Sequence, residues 1–245
     1  KPEAAVRADA GAFLRAANAR LRRHPAGGVA DRRTINSADR RAWLRSATVD
    51  DGRWSGPGPH PGKVITTLRR VLPADAILTT DAGNFAGWAA RGFQFRRPGT
   101  FLGPTSGAMG YALPAAVAAA VARPGRPVVA LAGDGGLGMT LTELETAVRE
   151  RAPIVVLCFD NRRYGTIRMW QERRERGQGV ATELGAVDFA AAARALGAAG
   201  TTVEHDDEFE PALRAALAEN GPTLLHLTID RSWVSVDDKP TGSPW

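Results

Sequence analysis

The sequence predicts an α/β fold: a three-layer sandwich with a mainly parallel sheet and helices on both faces. Val128–Ala132 and Ile154–Phe159 are unbroken apolar, β-branched-rich runs of strand length, the pattern of strands covered on both faces. Between them, Thr140–Arg151 sets Leu141, Leu144 and Val148 at helical spacing. Together these make a βαβ unit, with parallel strands and a right-handed crossover. Strand and helix runs keep alternating from Pro61 to Asp230, as one contiguous α/β segment requires.

Residues 1–56 stand apart. Asp9–Arg23 predicts an amphipathic helix with Phe13, Leu14, Ala17 and Leu21 on one face, and Ser37–Ser46 predicts a second with Trp43 and Leu44. That is too little apolar surface for an independent domain. The expectation is a remnant of a middle domain plus a linker, closed by the turn residues Trp54-Ser55-Gly56-Pro57-Gly58-Pro59.

The main domain, 57–232, opens with a helix from His60-Pro61-Gly62 to Leu72. A strand over Ala76–Thr80 ends at Asp81-Ala82-Gly83-Asn84, and Phe85–Arg91 is expected to be helical. Thr100–Leu102 predicts a short strand, followed by a loop over Gly103–Gly107 and a buried, Ala-rich helix over Ser106–Ala122. After the βαβ unit, the polar, Arg-rich run from Trp170 to Thr182 is expected to be mobile near the site. Asp188–Leu196 and Glu208–Glu219 predict helices, Gly200–Val203 and Thr223–Ile229 strands, and 233–245 a tail over a partner.

The two best-marked strands end in chemistry. Gly133-Asp134-Gly135-Gly136 follows the first, Asp160-Asn161 the second, and both tips open on the sheet edge where α/β folds bind ligands. A glycine-rich turn before a helix offers backbone N–H groups to a phosphate, which the carboxylate of Asp134 would repel at close range. A divalent cation removes the conflict. Magnesium takes about six oxygens, often carboxylate, amide, carbonyl and phosphate oxygens. Asp134 and the Asn161 amide can supply two from adjacent strand ends, and a backbone carbonyl just after Asn161, that of Arg163, a third.

With these residues the sequence resembles the thiamine-diphosphate (ThDP) enzymes of the acetolactate synthase type. Their diphosphate motif is Gly-Asp-Gly followed some 25 residues later by Asn; here 25 residues separate Gly135 from Asn161. Thr80-Asp81-Ala82-Gly83-Asn84 resembles the family's upstream diphosphate loop. Gly107-Ala108-Met109-Gly110-Tyr111 with Leu113-Pro114-Ala115-Ala116 resembles its aminopyrimidine segment, and Asn161-Arg162-Arg163-Tyr164-Gly165 with Trp170-Gln171 its post-metal loop. The four blocks stand in the family's order between about Pro61 and Asp230.

The resemblance implies the ThDP-binding fold and a ThDP- and Mg²⁺-dependent decarboxylation or carboligation of a 2-oxo acid, a lyase or transferase activity. Ala82, Gly83 and Asn84 would border the diphosphate, Gly83 and Asn84 as donors. Phe85 stands where such synthases often have histidine, so a cofactor contact and a core aromatic remain equal readings. Gly107 would accept the cofactor's 4′-amino group, with Ala108 beside it, and Met109 would wedge beneath the bent cofactor. Gly133, Asp134, Gly135, Gly136, Asn161, Tyr164, Gly165, Thr166 and Ile167 would complete the pocket, and Trp170 would border it. Asp134, Asn161 and the Arg163 carbonyl would hold the metal. The chemistry is the cofactor's, and the family's activating glutamate comes from a pyrimidine-binding domain or subunit across an interface. No catalytic residue is therefore expected in this chain, which begins at Lys1-Pro2-Glu3 inside an apparent middle domain. The expectation is a fragment or half of a split enzyme, inactive alone, working as a homodimer or homotetramer.

A rival reading remains open. Gly133, Gly135 and Gly138 spell G-x-G-x-x-G after a strand, and Asp160 ends the next strand, as in an NAD(P)-dependent oxidoreductase. A non-catalytic remnant of the same fold is the third reading. Composition excludes other classes. The net charge of +6 comes mostly from dispersed arginines, which speaks against a nucleic-acid partner and suits anionic ligands. Cys158, the single cysteine, lies in an apolar strand run and reads as a buried small hydrophobe in a cytoplasmic protein. No uncharged apolar run is long enough for a membrane span. His60, His205 and His226 show no metal spacing, and His226 reads as a satisfied core residue.

Overall fold

The structure, a computed structural model, describes residue 3 and residues 5–23, 29–49, 56–174 and 179–237, without the side chains of 29–31. The chain divides into two compact units between Ser46 and Ala47. The first holds α1 (Ala10–Arg23) and α2 (Val29–Ser46). Asp9 accepts the Ala12 N–H at the start of α1, yet α1 buries nothing: Phe13, Leu14 and Leu21 are exposed. The second helix starts well before the expected Ser37.

The second unit is built on β1 (Ile77–Thr80), β2 (Phe101–Leu102), β3 (Val128–Gly133), β4 (Ile154–Asp160), β5 (Ala199–Val203) and β6 (Thr223–Thr228). All pair in parallel, in the order β2-β1-β3-β4-β6-β5. Alternate residues of each strand feed two cores. Val129, Leu131, Val155 and Leu157 pack beneath α3 (Pro61–Val71), α4 (Ala86–Gly92) and α10 (Asp206–Ala218). Val128, Ala130, Ile154 and Val156 pack beneath α5 (Ala112–Ala122), α6 (Asp134–Thr140), α7 (Glu143–Arg149) and α9 (Phe189–Ala195). This is the expected sandwich, with every residue of β4 buried. Each fully buried Leu such as Leu157 contributes about 1.5–3 kcal/mol of transfer free energy.

Several boundaries differ from the sequence reading. The βαβ crossover is two short helices, and the first begins at Asp134 itself, because buried Leu137 draws the glycine-rich segment onto the second core. The Ala-rich helix starts at Ala112, not Ser106, since Gly107 (φ +68°) and Gly110 (φ +77°) leave helical backbone before it. Past Trp170 the chain stays helical to Arg174 in α8 (Gly165–Arg174). The segment from 179 then returns onto the post-β4 turn through Tyr164 N–H to Thr182 O and Leu184 N–H to Arg162 O. The tail as far as it is described begins on its own core: Trp233 packs edge-on against His60 and Trp88. Val49 also belongs to that core. Lys1 and Pro2, Trp54 and Ser55 of the expected linker, residues 175–178 and the tail from 238 lie outside the described residues.

Candidate active site

The chain leaves β1 toward β2 on one side and returns to β3 on the other, so a topological switch point falls between β1 and β3. A ligand crevice is expected there, at the carboxyl ends of the strands. The structure has a cavity of ≈310 Å³ at this place. Its walls come from both layers: α4 follows β1 onto the first core and α6 follows β3 onto the second.

Every residue expected at the cofactor lines this cavity except Ala108. Ala82, Gly83, Asn84 and Phe85 come from the β1 tip, Gly133, Asp134, Gly135 and Gly136 from the β3 tip, and Asn161, Arg163, Tyr164, Gly165, Thr166 and Ile167 from the β4 tip. Gly107 and Met109 arrive on the loop before α5. Ala108 instead gives its carbonyl to the Ala82 N–H, tying that loop to the β1 tip. Trp170 is also absent from the cavity; half exposed, it lies under the guanidinium groups of Arg173 and Arg174.

Asp81 organises the assembly. It is buried and accepts backbone N–H groups from Gly110 at 3.0 Å and Ala112 at 2.5 Å. Burial pushes its carboxyl up, and those hydrogen bonds oppose the rise. A Cβ on Gly136 would sit 2.1 Å from Asp81 Oδ2, so only glycine lets the β3 turn approach it. Gly135 is equally confined, by the Tyr164 ring at 2.4 Å.

The carboxylate of Asp134 is buried. Its Oδ1 accepts the Gly135 N–H at 2.9 Å, while its Oδ2 has no hydrogen-bond partner among the described residues. Burial, and then the neighbouring Asp160, push its carboxyl up to about 7. Such a group calls for a cation or a proton. Arg163 pairs with Glu183 in an antiparallel bridge flanked by the Tyr164–Thr182 and Leu184–Arg162 hydrogen bonds. The N–H and C=O of a residue so paired point away from the partner segment, leaving the Arg163 carbonyl outside that ladder. A carboxylate, an amide and a carbonyl on one cavity are oxygen donors suited to magnesium. The residues present therefore fit a diphosphate–Mg²⁺ group.

Some expected donors are already used. The Asn84 N–H is given to Thr166 Oγ1 at 3.0 Å, which leaves the Thr166 hydroxyl hydrogen for the cavity. Phe85 stacks on Phe159, ring centroids 5.6 Å apart, and also lines the cavity. Sequence reasoning missed the apolar end of the cavity: Pro61, Trp88, Phe159, Ile229, Trp233 and Val234. It also missed the tie between Asp160 and His226, 2.8 Å apart. Both carboxylate oxygens of Asp160 are engaged, the second by the Arg162 N–H. That leaves it poorly placed for the ribose-binding role of the dinucleotide reading.

Comparison with known proteins agrees with this geometry. Residues 81–227 match the family described as thiamine pyrophosphate enzyme, C-terminal TPP binding domain. The chain is 38% identical over 179 residues to the acetolactate synthase isozyme 2 large subunit of Escherichia coli (strain K12), covering 70% of this chain and 33% of that one. It is 37% identical over 175 residues to the sulfoacetaldehyde acetyltransferase of Castellaniella defragrans, covering 71% and 29%. Among solved structures, a thiamine diphosphate-dependent 4-hydroxybenzoylformate decarboxylase from Rhodococcus jostii RHA1 superposes with a TM-score of 0.69 at 29% identity, covering 72% of this chain and 34% of that one. The chain spans about a third of the length of the curated relatives it matches.

Proposed function

This chain belongs to the thiamine pyrophosphate enzymes, and from that membership we propose that it supplies the diphosphate- and Mg²⁺-holding half of an active site that decarboxylates or carboligates a 2-oxo acid. The observation that carries the reading is the buried, open Oδ2 of Asp134 on the cavity that Asn161 and Arg163 also line. Asp134, the Asn161 amide and the Arg163 carbonyl would hold the cation. Gly83, Gly136 and the Thr166 hydroxyl would face the diphosphate, and Tyr164, Gly165 and Ile167 would wall it. Gly107 and Met109 would lie toward the aminopyrimidine. When bound, ThDP supplies the carbon that adds to the 2-oxo acid and takes up the electrons freed as carbon dioxide leaves. The chain's own contribution is to neutralise the diphosphate, fix its place at the switch point and exclude water behind it with Phe85, Trp88 and Phe159.

The activating glutamate is assigned to a pyrimidine-binding domain or subunit facing this cavity, in a homodimer or homotetramer. Exposed Ile167, Met139 and Tyr111 support such a contact. Calorimetry tests the reading: ThDP binding to the assembled enzyme is expected to require Mg²⁺ and to weaken at least tenfold in Asp134→Ala. Equal binding by that variant overturns the metal assignment.

A further inference from the structure

Asp160 is the last residue of β4 and directly precedes Asn161. It is as buried as Asp134 yet has no open oxygen: Oδ2 meets His226 Nε2 at 2.8 Å and Oδ1 accepts the Arg162 N–H at 2.9 Å. A carboxylate only accepts, so Nε2 carries the hydrogen. His226 sits within β6, opposite Cys158 of β4, and lines no part of the cavity. The Phe189 ring stands edge-on to it at 5.4 Å and holds it in place. At the other end of this chain of contacts, Arg162 adopts φ +56°, a left-handed step that is strained for a non-glycine residue. Its N–H bond to Asp160 stabilises that step, and the step turns Arg163 into its bridge with Glu183.

Resting on the metal assignment above, we propose that His226 is a positioning residue: through Asp160 it fixes the turn that presents Asn161 and the Arg163 carbonyl, and leaves Asp134 as the one open carboxylate. The alternative, that Asp160 and His226 are themselves ligands, conflicts with their mutual bond. Moreover, no three His, Cys, Asp or Glu side chains among the described residues are grouped to hold a metal. Without His226, the Asp160 carboxylate keeps only the Arg162 N–H and its neighbour Asp134, and the turn loses its anchor.

The test uses Mn²⁺ in place of Mg²⁺, titrated into the assembled enzyme with ThDP and followed by the electron paramagnetic resonance of the free ion. Wild type is expected to bind Mn²⁺ saturably. Removing a residue that orients a metal's ligands typically costs ~10–100-fold in affinity, and His226→Phe is expected to lose that much. His226→Gln keeps an amide donor within reach of Asp160 and is expected to recover most of it. His226→Asn has the same amide on a shorter stem and serves if the Phe variant does not fold; it is expected to bind weakly where Gln binds well. Wild-type affinity in His226→Phe or His226→Asn overturns the proposal, as does equal loss in the Gln and Asn variants, which would mark His226 as packing only. Absence of ThDP-dependent Mn²⁺ binding in wild type would instead overturn the metal assignment beneath it.

Discussion

The tips of β3 and β4 are adjacent, equally buried, and each carries an aspartate, yet the two acids live differently. Asp160 is closed: burial pushes its carboxyl up, but its interactions with His226, with Asp134 and with the Arg162 N–H outweigh that and hold it below the usual carboxylate range. Asp134 is left open and pushed up to about 7 by burial and by Asp160. One acid is closed by its neighbours; the other keeps a buried oxygen without a hydrogen-bond partner among the described residues, which a proton or a cation would satisfy. A binding group is thus recognised by what its neighbours leave undone.

The largest test of this contrast is pH. Asp134 has a folded value of about 7 against an ordinary 3.8. A raised acid favours folding below its unfolded value, and the benefit is lost as pH rises through the folded one. The metal-free protein is therefore expected to lose stability between about pH 4 and pH 7. That loss is on the order of a few kcal/mol. Asp134→Asn flattens the profile, as urea unfolding at several pH values would show. Asp160 acts in the opposite sense, its contribution disappearing only as pH falls through its lowered value.

Next in size, Asp160→Ala strands His226 and uncaps Arg162, and is expected to cost about 3 kcal/mol in urea unfolding. Asp134→Ala in the metal-free protein near pH 8 is expected to cost nothing or to stabilise. If the two variants unfold alike, the contrast fails. Gly136→Ala drives a methyl toward Oδ2 of Asp81, whose carboxylate is held by one backbone N–H on each oxygen. It should cost about 1–3 kcal/mol by the same measurement. Trp170→Ala, outside the cavity, should move both stability and ThDP affinity least, within about 0.5 kcal/mol.

How far the sequence carried this reading depends on the range of the interactions. Strands with unbroken apolar runs, and Asp134 and Asn161 at their tips, announce themselves locally, and nearly all the expected cavity residues meet. The Ala-rich run that follows extends the predicted helix back over Gly107–Tyr111; the loop form of that stretch depends on Asp81, which lies 29 residues before Gly110. His226 reads as a core residue because only the placement of β6 beside β4 brings it to Asp160, 66 residues away. Trp88 and Trp233 close the apolar end of the cavity through a meeting of α4 with the chain after β6 that no local pattern encodes. Phe13 and Leu21 illustrate the converse: helical spacing is visible in sequence, but what covers that face is not.

The switch point has a mechanical side. Where the chain parts between β1 and β3, the two walls of the cavity are fastened to opposite layers of the sandwich. A diphosphate and its cation seated there would act as a clasp across that seam, so their arrival should be felt in both layers at once. Backbone amides around Gly87 on α4 and Leu137 on α6, 50 residues apart in sequence, would slow their hydrogen exchange together, while the outer strand β5 would exchange as before.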